Sequence, residues 1–221
     1  MRNFIFALLP WLSVLAAAVA QQTPEPVFSA AQSVCKISAR SGRGASLGSG
    51  VLLENGYVLT VAHVVGQGRP VTCTFYHCPG APRVEGVSVL RGSYDLAAVD
   101  LFDLPETLVG APICDHNPAI GEAVYHLGYP GMRRQALSKP GKVTGYRGDG
   151  SGTMDWISHF ATYDSATPGD SGGAVFAADG SVIGPTSGSD WPTRKKNTSS
   201  VSTGRTIKFL REVIEKCGPA G

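Results

Sequence analysis

Apolar residues along this chain fall in short runs broken by glycine, proline, or an Asn-Gly or Asp-Gly pair. That pattern predicts strands and turns, and none of these runs carries a long helical period. In the first half, strands are predicted over residues 33–38, 48–53, 57–60, 71–76, 84–90 and 97–102. Asn55-Gly56 between two apolar runs is the strongest hairpin signal among them. In the second half they are predicted over 123–127, 141–146, 156–162, 173–177 and 181–183, the last after an Asp179-Gly180 turn. Residues 105–118, polar and marked by prolines, read as the crossing between the halves. One helical stripe occurs near the C-terminal end, where Ile207, Leu210, Ile214 and Cys217 recur at i, i+3, i+7 and i+10. Thr203 or Thr206 supplies an N-cap and Gly218-Pro219 a stop, so a helix over about 204–217 is expected to turn that stripe, Cys217 included, toward the body.

The other end reads differently. Residues 1–20 open with Arg2, run apolar from Phe4 with breaks at Pro10 and Ser13, and close on Ala18-Val19-Ala20. This is the form of a cleaved secretory signal, and it is short for a membrane anchor with nothing basic on its far side. Residues 21–32, with Pro24 and Pro26, are expected to form an extended tail.

A chain of 221 residues has room for one sizeable domain or for two similar halves. The formal charge of +2 falls to +1 when Arg2 leaves with the leader, so nucleic acid is not an expected partner. Five cysteines fit an oxidising compartment, secreted or periplasmic, and leave one thiol over. Cys73 and Cys78 are close enough to staple a hairpin, and the presence of His77 beside them makes only a weak zinc motif. No metal, no cofactor and no stable membrane anchor are expected.

The chemistry gathers at Thr167-Pro168-Gly169-Asp170-Ser171-Gly172-Gly173. A serine between glycines on a tight turn puts a hydroxyl where backbone N–H groups converge, as an acyl-transfer nucleophile needs. The stretch also satisfies Gly-x-Ser-x-Gly, but all five histidines precede Ser171, which leaves none for the chain order of an α/β-hydrolase. The base must then lie upstream. His63 in Val58-Leu59-Thr60-Val61-Ala62-His63 and Asp95 in Tyr94-Asp95-Leu96-Ala97 have the best contexts, with Asp100 as a rival acid.

In this order, His63, Asp95 and Ser171 resemble the trypsin/chymotrypsin-like serine peptidases over roughly residues 33 to 216, closest in style to secreted bacterial members without a zymogen form. The bland alternative is a core histidine, a turn aspartate and a glycine-rich hairpin that never meet. The resemblance implies an all-β fold of two packed six-stranded antiparallel β-barrels with a C-terminal helix and the site between the barrels. The first barrel is expected over about 33–104, the linker over 105–119 and the second barrel over about 120–202. It implies His63 as general base and acid, Asp95 orienting it, and an oxyanion hole from the N–H groups of Gly169 and Ser171. It places Ser165 and Ala166 at the base of the specificity pocket, uncharged, and Ser187 and Gly188 on a substrate-pairing strand.

Some members also tie the linker to the last helix, which implies a Cys114–Cys217 bridge beside Cys73–Cys78, with Cys35 free. Zymogen-type members pair the aspartate before the nucleophile, here Asp170, with a newly freed Ile-Val-Gly-Gly-like terminus. No such motif lies between Ala20 and Cys35, so Asp170 is expected to find donors inside the second barrel. A monomeric endopeptidase acting on a protein or peptide substrate is the leading function, ahead of a catalytically silent binding module or a serine esterase.

Overall fold

The computed structural model describes residues 23–41, 44–134, 136–147, 156–161, 167–189 and 197–220. The expected leader and the pocket-floor residues Ser165 and Ala166 lie outside the described residues.

Six antiparallel strands close a first barrel: β1 (Val34–Ser41), β2 (Gly44–Leu52), β3 (Val58–Val61), β4 (Pro70–Thr74), β5 (Arg83–Arg91) and β6 (Leu96–Leu101), in the order β1-β2-β3-β6-β5-β4. Six more close a second: β7 (Ala123–Gly128), β8 (Leu137–Arg147), β9 (Trp156–Ala161), β10 (Ala174–Phe176), β11 (Val182–Ser189) and β12 (Asn197–Val201), in the order β10-β11-β12-β9-β8-β7. The fold is chymotrypsin-like. At the β2–β3 hairpin the Asn55 side chain accepts from Tyr57 N–H at 3.2 Å and Gly56 takes a φ of 85°.

Strand β5 alternates exposed and buried positions along its first four residues, whereas β3 is buried throughout. The difference follows from position, because one face of β3 fills its own barrel while the other meets the second barrel. Cys35, Ile37, Val58 and Val99 fill the first barrel, and Val124, Val175 and Ile183 fill the second. Leu59, Leu127, Tyr129 and Phe176 belong to the core between the two. Burying each such aliphatic or aromatic side chain contributes about 1.5–3 kcal/mol, which is what clamps the two halves together. The crossing segment is tied down in turn, first by a parallel bridge from Ala111 to Leu53 and then by one from Ile113 to Val182.

Three expectations change here. The extended tail is instead a short helix, α1 (Glu25–Ala30), followed by a 3-10 turn to Ser33, and Val27 is wholly buried. Its prolines sit at the N-cap and in the first turn, where a missing N–H leaves no hydrogen bond unmade.

The C-terminal helix α2 (Thr203–Cys217) exists, but its buried face is Thr203, Thr206, Phe209, Leu210 and Val213. Phe209 packs on Gly92, which turns Ile214 (45% exposed) and Cys217 outward. The third change concerns the bridges, since all five cysteines are free thiols. Cys73 points into the first barrel beside Cys35, whose thiol burial pushes well above its ordinary pKa. Cys78 donates to Gln32 O, Cys114 donates to His116 O, and Cys217 is exposed, so neither expected pair is in register.

Strand β12 was absent from the predicted set. Its sequence, Asn-Thr-Ser-Ser-Val, has one apolar residue and becomes a strand by pairing with β9 and β11. No helix among the described residues is long and apolar enough to cross a membrane.

Candidate active site

The register of β3 against β6 brings the first two functional side chains together. Val61 pairs with Leu96, so the residues just beyond that pair, Ala62-His63 on one strand and Tyr94-Asp95 on the other, share one end of the sheet. Ala62 N–H donates to Asp95 O at 2.7 Å. Tyr94 and Asp95 both take a φ of 61°, left-handed values that disfavour side chains by roughly 1–2 kcal/mol each. Backbone strain of this kind is held where surrounding contacts fix it.

Those contacts are on Asp95. His63 N–H donates to Oδ1 at 2.9 Å, His63 Nδ1 lies 2.7 Å from Oδ2, and Ser187 Oγ donates to Oδ2 at 2.6 Å. Burial pushes the Asp95 carboxyl up, but the hydrogen bonds from His63 and Ser187 outweigh it and hold it below the ordinary carboxylate value. An ionised Asp95 accepting from Nδ1–H leaves His63 Nε2 bare, the tautomer of a base. The rival Asp100 lies within β6, and its buried Oδ1 has no hydrogen-bond partner among the described residues.

Ser171 comes from the other barrel. Its turn is closed by Asp170 N–H on Thr167 O and Gly173 N–H on Asp170 O, and it is stitched to β11 by Gly172 N–H on Thr186 O. The first barrel meets this turn through Ser49. Ser49 N–H donates to Ser171 O at 2.8 Å, Ser49 Oγ donates to Gly169 O at 2.6 Å, and Tyr129 N–H donates to Ser49 Oγ at 2.9 Å.

The approach is so close that a Cβ at Gly172, which takes a φ of 82°, would stand 2.1 Å from Ser49 O. One at Gly48 would stand 2.7 Å from Val64 Cγ2 and 2.9 Å from Ser171 O. Bare Gly48 thus packs against both the serine turn and the residue after His63. Among the described residues no hydrogen bond joins Ser171 Oγ to His63. The N–H groups of Gly169 and Ser171 have no acceptor among the described residues, and with Gly169 O pinned by Ser49 they are two fixed donors.

Asp170 is wholly buried beneath this turn. Its Oδ2 accepts from Lys139 Nζ at 2.6 Å, Thr167 N–H at 2.9 Å and Thr167 Oγ1 at 3.0 Å. Lys139 reaches it from β8, so the expected donors do lie within the second barrel. His126, on β7, is also buried against the turn. A Cβ at Gly173 would stand 2.9 Å from its Nε2. Burial pushes its pKa down to about 4, with Lys139 adding to the fall and Asp170 opposing it.

His63, Asp95 and the turn that carries Gly169 and Ser171 therefore come from three separate stretches of sequence. Ser187, expected on a substrate-pairing strand, aims its hydroxyl at Asp95, and Gly188 follows it in β11. Three contributors escaped the sequence reading: Ser49, Lys139, and Ser187 as a partner of Asp95. Only Ser49 left a trace, in the glycines on either side of it.

The zinc motif does not assemble. Cys73 faces the core, Cys78 bonds Gln32, and His77 Nε2 accepts from Ala136 N–H at 3.1 Å. Cys114, Asp115 and His116 on the linker bring three donor atoms within 4.8 Å of one another, but His116 Nδ1 is already bonded to Asp115.

The profile of the trypsin-like peptidase domain matches residues 48–184, more than half of the chain. Among curated proteins no sequence matches it. Similar solved structures include the active form of the Rv3671c protease from M. tuberculosis, 22% identical with a TM-score of 0.74, covering 100% of this chain and 96% of that one. A serine endoprotease from Yersinia pestis is 24% identical with a TM-score of 0.71, covering 86% of this chain and 66% of that one. The HtrA-type protease AlgW, solved with a tripeptide, is 22% identical with a TM-score of 0.70, covering 86% of this chain and 62% of that one. These likenesses fit the two-barrel fold, and with a domain profile spanning His63, Asp95 and Ser171 the chain belongs to the trypsin-like peptidase family of serine proteases.

Proposed function

We propose that this chain is a secreted serine endopeptidase that cleaves peptide bonds through an acyl-enzyme on Ser171. The observation that carries the reading is the His63–Asp95 pair, 2.7 Å apart, which Ser187 ties to β11, the strand whose Thr186 O also holds Gly172 of the serine turn. His63 Nε2 takes the proton of Ser171 Oγ as the oxygen attacks the scissile carbonyl, and the N–H groups of Gly169 and Ser171 receive the developing oxyanion. The His63 cation, balanced by Asp95, then gives its proton to the leaving amine. Water repeats the sequence on the ester and restores the free enzyme.

The uncharged Ser165 and Ala166 favour small or medium uncharged residues on the acyl side of the cut. Residues 1–20 direct export and are removed in the process, which N-terminal sequencing of exported protein would check. The decisive test is a fluorophosphonate probe with a peptide-cleavage assay. The wild-type chain labels and cleaves, and Ser171→Ala does neither. Full labelling of Ser171→Ala, or an unlabelled wild type that binds peptide without cutting it, would overturn the reading.

A further inference from the structure

Three arginines from three different elements converge on a groove that begins at His63. The cavity, about 290 Å³, is lined by Arg40 near the end of β1, Arg69 in the turn before β4, and Arg91 at the end of β5, with Ala62–Gly66 as its floor. All three arginines are exposed. The ion pairs of the described residues involve none of the three, in contrast to Arg83, which pairs with Glu85. No carboxylate is among the lining residues.

Arg69 is placed by the fold. Its N–H bonds Gly66 O, its carbonyl accepts from Ser88 N–H, and its side chain lies across Gly66, where a Cβ would stand 2.4 Å from its Cδ. A guanidinium held in this way, three positions past the last residue of the His63 turn, is a standing partner for an anion.

The direction of the reaction says which part of a substrate reaches this groove. Gly169 and Ser171 hold the carbonyl that becomes the ester, and His63 hands its proton to the departing nitrogen. The chain beyond that nitrogen leaves past His63, and the arginine-lined groove opens at His63. There the floor is the segment that follows His63 and the walls are the three arginines.

We propose that this groove is a subsite for the leaving-group side of the substrate, selecting peptides with aspartate or glutamate among the first three residues after the scissile bond. It rests on the endopeptidase reading above and adds a charge preference that the uncharged acyl-side pocket does not supply. An extended peptide advances about 3.3 Å per residue with side chains on alternate faces, and arginines on three separate elements, each on a long stem, can meet an acidic side chain on either face.

The test uses internally quenched peptides that share one acyl-side sequence and carry glutamate, alanine or lysine at those three positions. Each acidic side chain is expected to raise kcat/KM by about two- to fivefold over alanine, the range of an exposed ion pair, and lysine to lower it. The preference should shrink as salt rises from about 20 to 500 mM, since added ions screen it. In Arg69→Glu with Arg91→Glu the order should invert, and probe labelling of Ser171 in that variant reports an intact site. Equal kcat/KM for the three peptides, an unchanged order in the double variant, or a preference indifferent to salt would overturn the subsite while leaving the endopeptidase reading in place. A wild type that neither labels nor cleaves overturns both.

Discussion

The hydroxyl of Ser49 donates to Gly169 O at 2.6 Å and accepts from Tyr129 N–H at 2.9 Å, and it is wholly buried. Pinning the Gly169 carbonyl fixes the peptide groups around it, and with them the direction of the Gly169 N–H. Ser49→Ala leaves a buried carbonyl and a buried N–H unpaired, which destabilises by about 1–3 kcal/mol. More informative is the kinetic signature. If Ser49 aims the oxyanion donor, kcat should fall about ten- to a hundredfold while KM changes little, because the donor acts on the transition state. Steady-state kinetics on one peptide decide it, and a lowered Tm with unchanged kcat would reduce Ser49 to a structural role. The site was legible only where a residue carries its own context. His63, Asp95 and Ser171 sit in distinctive runs, whereas Ser49 lies in a glycine-flanked strand, Lys139 is an isolated cation before Pro140, and the partner of Ser187 is 92 positions away.

Strands bounded by turns were readable because each half-buried run reports its own alternation. Strands defined by their neighbours were not. Strand β8 runs through Pro140 and β11 through Pro185, each proline in register with one neighbouring strand, at Tyr125 and Ala174, while β12 is polar enough to read as a loop. Helix α2 shows a subtler failure. The expected stripe has helical spacing, and so does the actual buried face of Thr206, Phe209, Leu210 and Val213, turned by about one residue. Thr203 and Thr206 mask the true face, because hydroxyls count as polar in a sequence pattern yet both are buried here. The two assignments predict different mutants. Phe209→Ala should destabilise by about 3–5 kcal/mol, since a large ring leaves a cavity over Gly92. Ile214→Ala should stay within about 0.5 kcal/mol, as for an exposed position. Urea unfolding midpoints compare them directly, and a larger loss at Ile214 would restore the first assignment.

The second barrel buries a cluster of three ionisable groups, His126, Lys139 and Asp170, and its acid response belongs to the whole fold. The folded-state pKa of His126, about 4, lies below its ordinary value of 6.5. Between those values the unfolded chain binds a proton that the native chain does not. Stability is therefore full above pH 6.5 and is lost as pH falls toward 4. Asp95, held below its ordinary value of 3.8, contributes stability above that value and loses it lower still. Unfolding free energies measured between about pH 7 and 4 should decline, and His126→Gln should flatten that decline whatever its own effect on stability. An undiminished slope in the variant would assign the acid sensitivity elsewhere.

Activation is the other property of the assembled molecule. In zymogen-type members a freed N-terminus supplies the cation for the aspartate before the nucleophile, and here Lys139 holds Asp170 from within β8 at 2.6 Å. The segment ahead of β1 is engaged elsewhere, folded as α1 with Val27 buried and Pro26 O against Gly180. If that built-in cation stands in for the terminus, the serine turn needs no cleavage to form. A chain expressed from Gln21 with an added methionine or tag at its front should label with a fluorophosphonate probe as fast as one with a native front.

Lys139→Met should remove most of that labelling and destabilise by about 3–5 kcal/mol, because an unpaired carboxylate stays buried beneath the turn. Adding Asp170→Asn to Lys139→Met should recover part of the lost stability, since no buried charge is then left alone. The double variant thereby separates the cost of an orphaned charge from loss of the turn itself. If the tagged chain were inert, and a protease cut near Val34 switched it on, Lys139 would be no substitute for a terminus.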